Sequence, residues 1–235
     1  MILSELINRS PIRIFEKSIH GGLKAGEIGI IASENGVGKT SVLVQLALDK
    51  LLQGKKVIHV SFIQHAQYVF SWYEDIFGEF INKKNLENAD GIKNEVVKNR
   101  VLMNFNQDSI TNDQIVKSLR AMIVDGGFGA DAVIIDGFDF SRASRGSIAG
   151  VRAFAGELGL SVWYSCTVKD KNSQYDKQKI PLAIRDFTDL IDVVIVLEPR
   201  PAHIELSVSK DRDSFDAKAM AMRLDPKTLL ILGDK

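Results

Sequence analysis

Eight consecutive residues, Ser33-Glu34-Asn35-Gly36-Val37-Gly38-Lys39-Thr40, carry two glycines, a lysine and a hydroxyl at the spacing of a phosphate-binding loop. Gly36 and Gly38 let the backbone curl with its N–H groups facing inward, and a following helix adds the positive end of its dipole. Lys39 then offers a point charge to β- and γ-phosphates, and the Thr40 hydroxyl completes the coordination of a Mg²⁺ shared with them. The residues expected to cradle a nucleoside triphosphate are therefore Ser33, Glu34, Asn35, Gly36, Val37, Gly38, Lys39, Thr40 and Ser41. The plainer alternative is a Gly-containing turn with a solvent-facing lysine. What favours the cradle is its context, an apolar strand-like run before it and a helical pattern after it. Ser33 stands where the usual pattern has its first glycine, and serine tolerates the extended conformation that leaving a strand requires.

A second chemical group follows about a hundred residues on. Ala132-Val133-Ile134-Ile135 delivers Asp136 at the end of a continuous apolar run. Open parallel sheets place functional groups at the carboxyl ends of their strands. Asp136 is expected to bind the same Mg²⁺ through water. Read without the upstream Lys39 and Thr40, Asp136-Gly137 is only a strand-ending turn.

These groups need a scaffold, and periodicity supplies one. Glu27 to Ala32 reads as the strand before the loop, reached through the glycines of His20 to Gly26, with residues 1–20 a short helix or arm. Val42, Leu43, Leu46, Ala47 and Leu51 recur at helical spacing and Gly54 stops the helix. Lys56 to Phe62 is a buried strand, giving a β-α-β unit. His65 to Phe80 is helical with a core face of Tyr68, Trp72, Ile76 and Phe80, and residues 82–99 form a polar surface helix or insertion. Val101 to Phe105 is a strand, and Thr111 or Asn112 caps a helix to about Val124. Ile148 to Leu158 is helical, Leu160 to Cys166 a strand, residues 169–179 a polar loop, and Leu182 to Leu190 a short helix. Asp192 to Leu197 is a strand, followed by antiparallel segments at His203 to Ser209, Ala219 to Leu224 and Leu229 to Leu232. The expectation is an α/β fold, a mostly parallel sheet flanked by helices and closed by an antiparallel meander.

Composition sets limits on partners. A chain of 235 residues, 45% hydrophobic, is long enough for one sizeable core, so 1–235 is expected to be a single domain. Thirty basic and thirty acidic residues cancel, so nucleic-acid or membrane binding would need a local patch. The one cysteine, Cys166, lies in an apolar run and has no metal-ligand spacing around it. Met1 to Asn8 lacks the pattern of a secretory signal, and no apolar run approaches a membrane span, so a cytoplasmic location is expected.

With these pieces together the chain resembles the RecA-like ATPases, in particular the branch of KaiC, RadA and the DnaB-type replicative helicases. The resemblance runs from His20-Gly21-Gly22-Leu23 through the phosphate loop, Val57 to Ser61 and Val133 to Asp136. It continues through Asp192 to Ile195 to Ser209-Lys210-Asp211-Arg212-Asp213 and Leu224-Asp225-Pro226-Lys227-Thr228. It implies ATP and Mg²⁺ as ligands; the N-K-x-D pattern that reads guanine is absent, since Asn172 follows Lys171. The family's water-polarising glutamate falls within Val60-Ser61-Phe62-Ile63-Gln64, which has no carboxylate. Gln64 can orient a water but cannot take its proton, and Asp139 is the nearest alternative in sequence. Thr167 or Val168 occupies the place of a γ-phosphate-sensing glutamine. Lys210 and Arg212 match a basic pair that relatives present to a neighbouring subunit, and on one strand both would share a face. Their use would imply a homo-oligomeric ring or filament. The plainer view is a solvated charged turn. By the same resemblance, two loops would line a channel for single-stranded DNA with Arg142, Arg145, Lys169, Lys171, Lys177 and Lys179, beside Tyr175.

Two functions follow as expectations. One is an ATP-binding switch or assembly module with weak or absent hydrolysis, carried by Lys39, Thr40 and Asp136 with Gln64 in the eroded position. The other is a DNA-dependent ATPase, a motor or loader using Lys210, Arg212 and the basic loops in full. A phosphotransferase would need a substrate pocket and lid that the sequence does not display.

Overall fold

The computed structural model describes residues 10–62, 66–84, 89–106, 108, 110–168 and 175–233. Among these residues nine strands form one sheet in the order β3-β2-β4-β5-β1-β6-β7-β8-β9. They are β1 (Ile28–Ser33), β2 (Val57–Ser61), β3 (Arg100–Asn104), β4 (Ala132–Asp136), β5 (Ser161–Thr167), β6 (Val193–Pro199), β7 (Ile204–Asp211), β8 (Lys218–Leu224) and β9 (Ile231–Gly233). The pairings from β3 to β6 are all parallel, and those from β6 to β9 are antiparallel. The central parallel strands are buried on both faces, which is why they read as unbroken apolar runs.

Helices cover both faces. On one side lie α1 (Pro11–Ser18), α2 (Lys39–Leu52), α3 (Ala66–Lys84) and α4 (Ala89–Lys98). On the other lie α5 (Asn112–Arg120), which runs on through a wider turn to Asp125, α6 (Arg145–Leu158), and the 3₁₀ segment Leu182–Leu190. Almost every side chain of α2 is buried, because the sheet, α1, α3 and α4 enclose it. Close approach on this face depends on one glycine. A Cβ at Gly29 would lie 2.4 Å from the Trp163 ring, which lies over that bare stretch of β1 and meets Phe15 of α1 edge-on at 5.9 Å.

Two expectations are adjusted. Of the expected core face of α3, Ile76 is buried and Trp72 packs partly buried against the core, whereas Tyr68 is 59% exposed and the Phe80 side chain lies outside the described residues; Val69, Tyr73 and Phe77 are buried beside Ile76. The cause is the direction in which α2 lies, which the four-residue spacing of aromatics does not encode. The polar stretch after Asn82 includes the end of α3 and α4, and α4 buries Val96 in the core below α2. Among the described residues no helix is long and apolar enough to cross a membrane.

Candidate functional site

β1 ends at Ser33, and the chain passes through a loop whose glycines hold left-handed backbone angles, φ 76° at Gly36 and 112° at Gly38, before α2 begins at Lys39. A side chain at Gly38 would meet Leu224 Cδ2 at 2.6 Å, so the end of β8 also closes the space behind the loop. Ser33 carries no positive φ, which accounts for serine in place of the usual glycine. Its hydroxyl has work there as well, donating to the Glu34 carbonyl at 2.9 Å. Lys39 Nζ folds back onto the loop, donating to Glu34 O at 2.7 Å, Ser33 O at 3.1 Å and Ser33 Oγ at 3.3 Å. Burial lowers the Lys39 pKa, with Asp136 and Cys166 opposing that shift. A cation held on carbonyls and short of a full counter-charge is electrostatically prepared for an anion.

Thr40 Oγ1 donates to Asp136 Oδ2 at 2.8 Å. Asp136 is 2% exposed, and the turn after it is fixed by the Ser165 hydroxyl, which accepts from Gly137 N at 2.7 Å. A hydroxyl and a carboxylate side by side are hard oxygen donors of the kind Mg²⁺ takes, and they fit an ion held mainly by phosphates and water. Among the described residues no cluster of three or more His, Cys, Asp or Glu forms a metal cage. When bound, the ion would neutralise phosphate charge.

The base of the loop is tied to the C-terminal strand. Ser41 Oγ donates to the Leu229 carbonyl, and Gln45 clamps both sides of the β9 start. Its Nε2 donates to Leu229 O at 2.9 Å while its Oε1 accepts from Ile231 N at 2.8 Å. Helical periodicity marks Gln45 only as polar in an apolar helix, so its tertiary partners were not legible.

His59, on β2, is fully buried and also escaped the sequence reading. Its Nδ1 lies 3.0 Å from the Tyr73 hydroxyl, and Nε2 has no partner. Burial pushes its pKa down to about 4, opposed by Asp136 and assisted by Arg100. The Arg100 guanidinium lies 4.2 Å from the centre of the Tyr73 ring, covering its outer side.

Lys210 and Arg212 do not share a target. Lys210 is buried on β7, donates to the Ile191 carbonyl and lies 5.3 Å from the centre of the Phe215 ring. Arg212 follows the strand with φ 53°, which breaks the two-residue alternation. It donates to Gly22 O at 2.7 Å, Ile19 O at 2.9 Å and both Glu27 carboxylate oxygens at 2.7 and 3.2 Å. Arg212 therefore fastens the meander to the loop ahead of β1 within its own chain.

The cations of the two loops are also engaged locally. Arg142 pairs with Asp108 at 3.0 Å, Arg145 forms a two-armed pair with Asp189, and Lys179 pairs with Glu198 at 2.9 Å. Lys177 is exposed and Tyr175 half-buried. Thr167 is exposed at the end of β5, and Val168 is buried. Gln64, Lys169 and Lys171 lie outside the described residues. Cys166 is buried, and burial pushes its thiol pKa up to about 12, so it is inert as a nucleophile. The chain matches no family model, and no curated protein matches it in sequence.

Proposed function

We propose that this chain is a RecA-like nucleotide-binding protein that holds Mg-ATP at Ser33–Ser41 and acts as a switch or assembly module, with weak or absent hydrolysis. The observation that carries the reading is the 2.8 Å contact between Thr40 and Asp136 at the head of a loop whose lysine already rests on inward carbonyls. Lys39 binds the phosphates, Thr40 and Asp136 hold the metal, and the buried base of α2 transmits the bound state to β9 through Ser41 and Gln45. The residues Val60 to Gln64 include no carboxylate to accept a proton from water, which supports slow turnover. The DNA-driven motor receives less support, since Arg212, its candidate for reaching a neighbouring subunit, is spent on Glu27 of the same chain.

The test is to mix the protein with Mg-ATP and follow bound nucleotide and released phosphate together, beside Lys39→Ala. Saturable binding with negligible release, lost in the variant, is the expected result. Steady release raised by single-stranded DNA would replace the switch by the motor, and absence of binding would overturn both.

A further inference from the structure

A cavity of about 260 Å³ opens on the face of the sheet opposite α2, where Phe62 and Phe138, just beyond β2 and β4, form an apolar wall. Both α5 and α6 begin at its rim, with Thr111 and Ser144 as N-caps. Each cap hydroxyl accepts the N–H of the third helical residue, Gln114 at 3.3 Å and Ser147 at 3.1 Å. The first two N–H groups of each helix, on Asn112 and Asp113 and on Arg145 and Gly146, have no acceptor inside the helix. Two positive dipole ends thus converge on one space.

An independent observation comes from Asn112. It lines the cavity, is only 9% exposed, and among the described residues its side chain makes no hydrogen bond. With no partner among the described residues, the hydrogen-bonding capacity of this amide is available to a ligand in the cavity. Arg142 stands on the same rim, and its exposed pair with Asp108 is of the weak kind that a more highly charged acceptor displaces.

We propose that this cavity is a phosphoryl-binding site, separate from the phosphate loop. The two helix N-termini and the Asn112 amide hold the oxygens, Arg142 supplies the charge, and Phe62 and Phe138 keep water from the inner wall. Asp113, exposed on the same rim, opposes the anion and limits its affinity. The phosphoryl group could belong to a small molecule or to the backbone of a single-stranded nucleic acid. No residue of the phosphate loop lines the cavity, so this inference stands or falls separately from the ATP site.

The experiment is a titration of the ¹⁵N-labelled protein with inorganic phosphate, following the Gly146 amide and the Asn112 side-chain amide. Gly36 and Gly38 report the phosphate loop in the same spectra. The Gly146 and Asn112 signals should move saturably. Asn112→Ala should weaken the response of Gly146 by about tenfold, and Asp113→Asn should tighten it by about threefold, both leaving Gly36 and Gly38 unchanged. Asp113 is exposed, so its variant tests the site even if Asn112→Ala fails to fold. Movement without saturation, or saturation that ignores both substitutions, would overturn the proposal. Competition by oligothymidylate assigns the group to a nucleic-acid backbone, and competition by thymidine monophosphate alone assigns it to a small molecule.

Discussion

Thr40 and Asp136 meet at 2.8 Å although β5 lies between the strands that lead to them. The contact is made over the carboxyl edge of β5, with Gly137 anchored to Ser165 of that strand. On the proposed reading, Thr40→Ala and Asp136→Asn each reduce Mg-dependent ATP affinity by about 10- to 100-fold. Calorimetric titration with and without a chelator checks this. Removing Mg²⁺ should bring the parent protein down to the level of the variants. Equal losses in chelator would mean that the pair serves the fold instead.

His59 predicts a pH dependence of stability. Its folded pKa is depressed to about 4, so between that value and the unfolded value of 6.5 the unfolded chain binds the extra proton. The contribution is therefore complete above pH 6.5 and is lost as pH falls toward 4, amounting to about 3 kcal/mol. Urea unfolding at pH 7.5 and pH 5 should show the loss, and His59→Gln should flatten this part of the profile. An unchanged slope in the variant would place the titration elsewhere.

Gly29→Ala drives a methyl group into the Trp163 ring, which has Phe15 behind it. Overpacking of this kind costs about 1–3 kcal/mol. The expected outcome is a lower unfolding midpoint together with altered tryptophan fluorescence. A parent-like midpoint would show that the ring can move aside.

Arg212 makes five hydrogen bonds within its chain, two of them to Glu27, with its side chain 22% exposed. A double-mutant cycle between Arg212→Ala and Glu27→Gln should give a coupling of about 1–3 kcal/mol in unfolding of the isolated protein. Arg212→Lys should restore little, because an ammonium cannot reproduce the fork. If Arg212 instead served only a neighbouring subunit, the monomer's stability would not change.

Much of the architecture was written locally. The order of the strands along the chain, the glycines of the loop, the Thr111 cap and the stop at Gly54 each depend on near neighbours, and each sits where its local chemistry places it. Lys39, Thr40 and Asp136, the residues of the proposed site, stand out in the sequence because Gly36-Val37-Gly38-Lys39-Thr40 is a short contiguous pattern and the carboxylate ends an apolar run. The direction of Arg212 was not identifiable, because a left-handed residue just past β7 cancels the alternation from which a shared face with Lys210 is inferred. The clamp of Gln45 on β9 and the solitary histidine inside the sheet likewise depend on partners brought together by folding.

The sequence alone therefore determined the α/β class, the Gly-containing turn between β1 and α2 and the polar residues it carries, since periodicity and turn chemistry act over a few residues. Only the tertiary structure decided which distant groups meet: Thr40 with Asp136 over β5, Arg212 with Glu27, and the N-termini of α5 and α6 around Asn112. Strand order and helix placement fix those meetings. They arise from burying two faces of one sheet at once, a condition that no local stretch of sequence contains.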